Sequence, residues 1–312
     1  LMDPAGSVGQ DPSSPFRNTV SGTAENVPDR YVPPLVSNGG LCMLVDYEGS
    51  QSQRERAKMT PGICWEGRRY GPPNDKLIPF GHFEQELSVA GKPCGAPVRW
   101  TQTLDTRSGV VECGSSYADG LSVESAVFVP LDADVVVVRK RVATTKPLAG
   151  PVRLAFKYLL VQPGEPRSIP RRMTSQSAWD AAAQCMDVRY KADGIQLFDG
   201  VISAFCDAPV SAGHDGQAIT LASEVTPEPD RPAELTFYLL FSDSMDGKDY
   251  LERAAKLRER IRREGYANLL GQHRANWGAY WNESGVRVPD ARLTRAYHTA
   301  QYHLRANATK WS

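Results

Sequence analysis

The sequence has no excess of charge of either sign: lysine plus arginine and aspartate plus glutamate stand at 36 each in 312 residues. Nothing in such a balance steers a chain onto nucleic acid or an anionic bilayer, so neither partner follows from charge. No apolar run approaches the roughly 20 residues that span a bilayer, and Leu1-Met2-Asp3-Pro4-Ala5-Gly6-Ser7 lacks the basic and apolar regions of a signal peptide. The chain reads as soluble, and a first residue other than methionine suggests that something was removed or added upstream. The six cysteines, Cys42, Cys64, Cys94, Cys113, Cys185 and Cys206, show no CxxC pair and no metal-site spacing. Buried free thiols are the expected state. The redox compartment stays open, with a secreted or periplasmic location preferred. GxSxG, GxGxxG, GxxxxGK and HExxH are all missing, and no cofactor or metal is expected.

What is present falls into successive textures. At 41% hydrophobic and 23% charged, the chain can bury one large core or two ordinary ones. Residues 1–30 are rich in proline, serine, glycine and asparagine without a period, and an irregular lead is expected there. Residues 31–245 alternate short β-branched and aromatic runs with glycine, proline and aspartate, as an all-β sandwich does. The runs include Gly40 to Tyr47, Phe80 to Val89, Val98 to Leu104, Leu121 to Val129, Val135 to Val142, Val152 to Val161 and Leu235 to Phe241. Val98, Trp100, Gln102 and Leu104 share one face of their strand, with Gln102 the polar exception. Val135-Val136-Val137-Val138 is apolar on both faces and predicts a central strand. About a dozen strands fit one large two-sheet antiparallel sandwich.

At Asp249 the period changes from two to 3.6. Tyr250, Ala254, Leu257 and Ile261 form a stripe, Glu252 with Lys256 and Glu259 with Arg263 stand four apart, and Gly265 stops the helix. The arginines Arg253, Arg258, Arg260, Arg262 and Arg263 predict a solvated face, since glutamates are interleaved. A second helical run carries Tyr266, Leu269, Leu270, His273, Trp277, Tyr280 and Trp281 at three- and four-residue steps. It breaks at Asn282-Glu283-Ser284-Gly285. A third begins at Asp290, a capping residue after Pro289, and repeats Leu293, Tyr297, Ala300, Leu304, Ala308 and Trp311 with no stop signal before Ser312. Residues 246–289 are thus expected to be linker helices, and 290–312 the first helix of a domain that continues. Leu293, Tyr297, Leu304 and Trp311 would form an exposed stripe that needs a partner or a second copy.

Three places could carry chemistry. His82, Glu84 and Glu86 lie on one face of a strand and could bind a metal or move protons, although the wet face of a half-buried strand is the preferred reading. The glycine-bounded loop 62–73 holds Trp65, Arg68, Arg69 and Tyr70. Aromatic faces stack on sugar rings and arginines hydrogen-bond hydroxyls, so these four are the candidate substrate-binding residues; the same loop could equally clamp a neighbouring domain. Trp179 is a weaker stacking candidate, for which a core position is preferred. His298 and His303 stand five apart on a helix and point to different sides.

A large sandwich, then linker helices, then the opening of a helical domain resembles the N-terminal part of the six-hairpin glycosidases, glycoside hydrolase family 65 and its relatives. The resemblance rests on Ser37-Asn38-Gly39-Gly40-Leu41, Trp100 to Asp105 with Gly109-Val110-Val111, Ala126 to Val129, Val135 to Arg139, Trp277 to Asn282 and Val288-Pro289-Asp290. It implies a galactose mutarotase-like supersandwich followed by an (α/α)6 barrel. It further implies inverting cleavage of a glycosidic bond in an oligo- or polysaccharide by water or phosphate, with the general acid in a barrel beyond these residues. No residue here matches that acid. The alternatives are a carbohydrate-binding or assembly module without turnover, or a mutarotase-like epimerase using His82 with Glu84 or Glu86.

Overall fold

The computed structural model describes residues 14–23, 25–29, 31–52, 63–66, 77–160, 172–193, 197–215, 218–283, 285–286 and 289–308. Among them the strands are β1 (Arg17–Gly22), β2 (Leu35–Ser37), β3 (Leu41–Leu44), β4 (Ile63–Glu66), β5 (Leu77–Val89), β6 (Lys92–Pro93), β7 (Arg99–Asp105), β8 (Val110–Ser116) and β9 (Leu121–Phe128). They continue with β10 (Val135–Thr144), β11 (Val152–Leu160), β12 (Arg172–Asp180), β13 (Cys185–Asp193), β14 (Leu197–Cys206), β15 (Ser211–His214), β16 (Ala218–Val225) and β17 (Ala233–Asp243). Two helices follow, α1 (Tyr250–Glu283) and α2 (Ala291–Ala306).

The strands make two antiparallel sheets. One runs β1-β7-β8-β9-β10-β17-β14-β13-β12, the other β15-β16-β11-β5-β4-β3-β2, with β6 paired to β5. The main core lies between them: Val136, Val138 and Val142 of β10 share it with Leu154, Phe156 and Tyr158 of β11. The opposite parity of β10, Val135 and Val137, lies on the outer face, where Phe128, Val201, Phe205, Tyr238 and Leu240 meet Ala254, Ile261 and Leu269 of α1. That explains the unbroken valine run: β10 sits between β9 and β17, mid-sheet, and is covered on both faces. Along β7, Trp100, Gln102 and Leu104 are buried while Arg99 and Thr101 are exposed. Gln102 is tolerated inside because its amide donates to the carbonyls of Val45 and Asp46 at 3.1 and 2.7 Å and accepts from Tyr31 Oη at 2.8 Å.

Three expectations change. Part of the lead, expected to be irregular, forms β1, paired along its length with β7; Phe16 just before it stacks on His298 with ring centroids 3.8 Å apart. The strand was illegible because an edge strand with one wet face needs no hydrophobic alternation. Of the α1 arginines expected to be solvated, Arg262 and Arg263 are exposed, but Arg253, Arg258 and Arg260 lie half-buried along the sandwich. Arg258 reaches Asp187 at 3.3 Å, Arg260 reaches Asp132 at 2.5 Å, Arg262 donates to the Gln184 carbonyl at 2.9 Å, and Arg253 donates to the Asp243 carbonyl at 2.8 Å. Long side chains lie along the sandwich rim and end in polar groups there. Finally, α2 closes at Ala306 with Asn307 as its cap.

Gly265, expected as a stop, carries φ 67° and kinks α1 into two segments. The second segment buries Leu269, His273 and Trp277 against β8 and β9. Gly109 makes that seat. Its φ is +64°, and a Cβ there would lie 2.3 Å from Trp277 Nε1. Asp290 caps α2 as expected, accepting from the Arg292 and Leu293 amides. The helix, however, lies with Thr294, His298, Tyr302 and Ala306 inward. Tyr302 donates to the Leu35 carbonyl at 2.6 Å and Asn18 to Thr299 at 3.0 Å. Leu293 and Leu304 are 62% and 65% exposed on the opposite side, three turns apart on one stripe.

Candidate functional site

The four candidate sugar-binding residues are only partly visible. Trp65 sits on β4, opposite Leu41 of β3 and Ile78 of β5 in the backbone register. Its side chain, and Arg68, Arg69 and Tyr70 entirely, lie outside the described residues. His82 and Glu84 do pair, Nε2 to Oε1 at 3.1 Å, on the outer face of β5, facing Leu159 and Lys157 of β11. Glu86 is exposed opposite Ala155. Among the described residues no three histidine, cysteine, aspartate or glutamate side chains are placed to hold a metal. Trp179 is half-buried on β12 and packs against the core.

A cleft that was not among the sequence's candidate sites opens among the described residues. It measures about 1040 Å³ and lies where the end of the sandwich meets both helices. Its floor is the Asn38-Gly39-Gly40 turn between β2 and β3. Asn38 Oδ1 accepts from the amides of Gly40 and Leu41 at 2.9 and 2.8 Å, while its Nδ2 donates to the Ala133 carbonyl and to Asp134 Oδ1 at 3.1 and 2.9 Å. One amide side chain therefore closes the turn and ties it to the loop ahead of β10. Asp132, Asp134 and Asp246 line the cleft together with Arg253, Lys256 and Arg260 of α1 and Arg305 of α2. Arg260 is held between Asp132 and Glu264, and the hydrogen bond it donates to Asp132 raises its pKa further. Arg253 is anchored by Asp249 and two carbonyls, and Lys256 bonds Glu252 at 2.6 Å. Arg305 stands 6.0 Å over the Tyr280 ring. Such a cleft offers hydroxyl groups both donors and acceptors. No histidine or cysteine lines it among the described residues.

A second polar assembly is sealed inside the sandwich. Lys140 of β10 is fully buried and donates to the carbonyls of Glu48 and Gly49 at 2.7 and 3.3 Å and to Ser125 Oγ at 2.8 Å. Burial lowers its pKa to about 8, against the opposing pull of Cys113, Asp46 and Glu48. Asp46 accepts from the amides of Glu48 and Ser50, both at 2.9 Å, and so folds residues 46–50 into the turn that Lys140 grips. Burial likewise pushes the Cys113 thiol up to about 12. The signal for Lys140 was in the sequence: it continues the inward parity of Val136 and Val138, where a lysine is out of place. Near the Trp277 seat, His273 stacks on Phe128 at 4.7 Å and its Nε2 donates to the Gly109 carbonyl at 3.4 Å. Burial lowers its pKa to about 4.

No protein-family model matches the chain, and no curated protein matches it in sequence. Solved structures do match in fold. A candidate kojibiose phosphorylase from the human microbiome superposes with a TM-score of 0.72 at 10% identity, over 94% of this chain and 42% of its own. A bacterial glucoamylase solved with acarbose superposes with a TM-score of 0.50 at 10% identity, over 93% of this chain and 44% of its own. The chain thus has the fold of part of these proteins and spans less than half their length.

Proposed function

We propose that this chain is the front part of a carbohydrate-active enzyme that cleaves glycosidic bonds with inversion, as a hydrolase or a phosphorylase. Its sandwich would be the supersandwich, α1 the linker helices, and α2 the first helix of an (α/α)6 barrel holding the general acid. The observation that carries this reading is the fold match along 94% of the chain to a candidate kojibiose phosphorylase more than twice as long as the matched part. The exposed Leu293 and Leu304 support it, since the rest of a helical barrel would cover such a stripe. In this arrangement the substrate is an oligo- or polysaccharide, Trp65, Arg68, Arg69 and Tyr70 edge its site, and the junction cleft faces the barrel.

An inverting enzyme needs one carboxylic acid to protonate the leaving oxygen and an opposed water or phosphate to attack. The sandwich contributes neither in this reading; it shapes and dries the mouth of the site. The intact mass of the native protein, set against the 34.3 kDa of this chain, is the first test. A mass of twice that or more, with disaccharide cleavage that yields the inverted anomer, supports the proposal. Supplying and withholding phosphate then separates phosphorolysis from hydrolysis. A native protein of 34.3 kDa without cleavage overturns it.

A further inference from the structure

On its outer face the nine-stranded sheet carries apolar residues where α1 covers it, around Val110, Phe128 and Val137. Beside them two further rows cross β7, β8, β9 and β10 in register: Thr103, Glu112, Ala126 and Arg139, then Thr101, Gly114, Glu124 and Arg141. The two smallest residues, Gly114 and Ala126, stand on adjacent strands in the middle, and a cleft of about 380 Å³ opens over them. That volume is within the range of small-molecule sites. Gly114 has no positive φ, so no turn demands a glycine there. A glycine inside a strand weakens the sheet and often marks a place where another molecule comes close to the backbone. A Cβ on Gly114 would meet Thr101 Oγ1 alone, at 3.1 Å.

The walls of this cleft are charged and yet balanced. Arg17 donates to Glu112 at 2.8 Å, Arg141 donates to Glu124 at 3.0 Å, and Arg139 donates to Glu234 of β17 beside the cleft. Arg139 also lies 4.3 Å over the ring of Tyr266, which lines the cleft from the kink of α1. Three arginines against three glutamates leave no net field to select an anion or a cation. Glu124 and Arg141 are 62% and 39% exposed, and the hydrogen bond between them uses few of the five N–H groups of a guanidinium and the four lone-pair sites of a carboxylate. The lining therefore suits an uncharged molecule with donors and acceptors on neighbouring atoms and an apolar face to lay against Ala126 and tyrosine. Sugars have both: adjacent hydroxyls and the C–H face of a ring. We propose that this cleft binds a neutral oligosaccharide on the sandwich itself, with Glu124 and Arg141 holding adjacent hydroxyls and Gly114 giving the ring room against the sheet. The site is built by the sandwich and the kink of α1, needs no bond cleavage, and so goes beyond the catalytic reading.

Calorimetric titration of the protein with maltopentaose, cellopentaose and mannopentaose tests it. At least one of the three is expected to bind with a Kd below about 1 mM. Gly114→Val fills the cleft with a strand-favouring side chain, and should weaken that binding about tenfold or more while the thermal midpoint stays unchanged or rises. Glu124→Ala combined with Arg141→Ala removes both members of an exposed pair, and should weaken binding about tenfold or more without loss of fold. Inorganic phosphate should not compete with the sugar. Failure of all three sugars to bind, an affinity that neither variant changes, or phosphate binding that Arg141→Ala abolishes overturns the proposal. Binding that both variants weaken, in a protein that cleaves no glycoside, would sustain this site and remove the catalytic reading. Cleavage without binding that depends on this cleft would do the reverse.

Discussion

Replacing Lys140 with methionine tests the energetics of the sandwich most directly. The ammonium group is fully buried, makes three hydrogen bonds and lies 5.8 Å from the centre of the Phe156 ring. Methionine of similar length leaves the Gly49 carbonyl and Ser125 Oγ without the lysine's donor, and the Glu48 carbonyl with only the Ser125 hydroxyl at 3.2 Å. Each orphaned buried group costs about 1–3 kcal/mol, while removing a desolvated charge returns part of that. A net loss of about 2–4 kcal/mol at pH 7 is expected. The pH dependence is the sharper signature. The folded pKa of Lys140 is about 8 against 10.5 for the free side chain. Between those values the unfolded chain holds the extra proton, so wild-type stability rises with pH through that window and falls as pH drops toward 8. Across that window, at roughly 1.4 kcal/mol per pH unit, the change amounts to about 3.5 kcal/mol. Cysteine and tyrosine ionisations overlap the window, but they are common to both proteins and cancel in the difference. Urea unfolding of wild type and Lys140→Met from pH 7 to 10 should therefore show a gap that widens with pH. A constant gap would refute the argument that the buried lysine carries a depressed pKa.

Other outcomes follow from the same geometry. Gly109→Ala should cost about 2–4 kcal/mol, from a strained φ and the collision with Trp277, seen as a lower thermal midpoint with a shifted tryptophan emission. His273 is held neutral in the fold with a pKa of about 4, so its contribution is full above 6.5 and is lost as pH falls toward 4. His273→Phe should move the acid-unfolding midpoint lower. Asn38→Ala removes four hydrogen bonds and should cost about 2–3 kcal/mol, with faster amide exchange confined to residues 39–41 and 133–134. Leu293→Ser and Leu304→Ser should leave the stability of the isolated 34.3 kDa chain within about 0.5 kcal/mol, because both side chains already stand in water. A larger loss would mean that this stripe is packed within the chain.

The sequence alone marked most strands and all three helical runs, because burial on one face imposes a period of two or 3.6 that survives without knowledge of the partner. It placed Gly265 at a break and Asp290 at a cap, since both roles depend on neighbours within a turn or so. It could not show β1 or β12, edge strands with polar outer faces whose only requirement is a neighbour to pair with. Nor could it show the junction cleft, which joins residues 38–40 to 131–134 and to α1 and α2 by tertiary approach alone. The orientation of α2 is the clearest case. Its leucines define a stripe in sequence, but which side faces inward was decided by Leu35, Phe16 and Asn18, far away in the chain, offering contacts to Tyr302, His298 and Thr299. Local periodicity determines which residues share a face; only the packed structure determines what, if anything, that face meets.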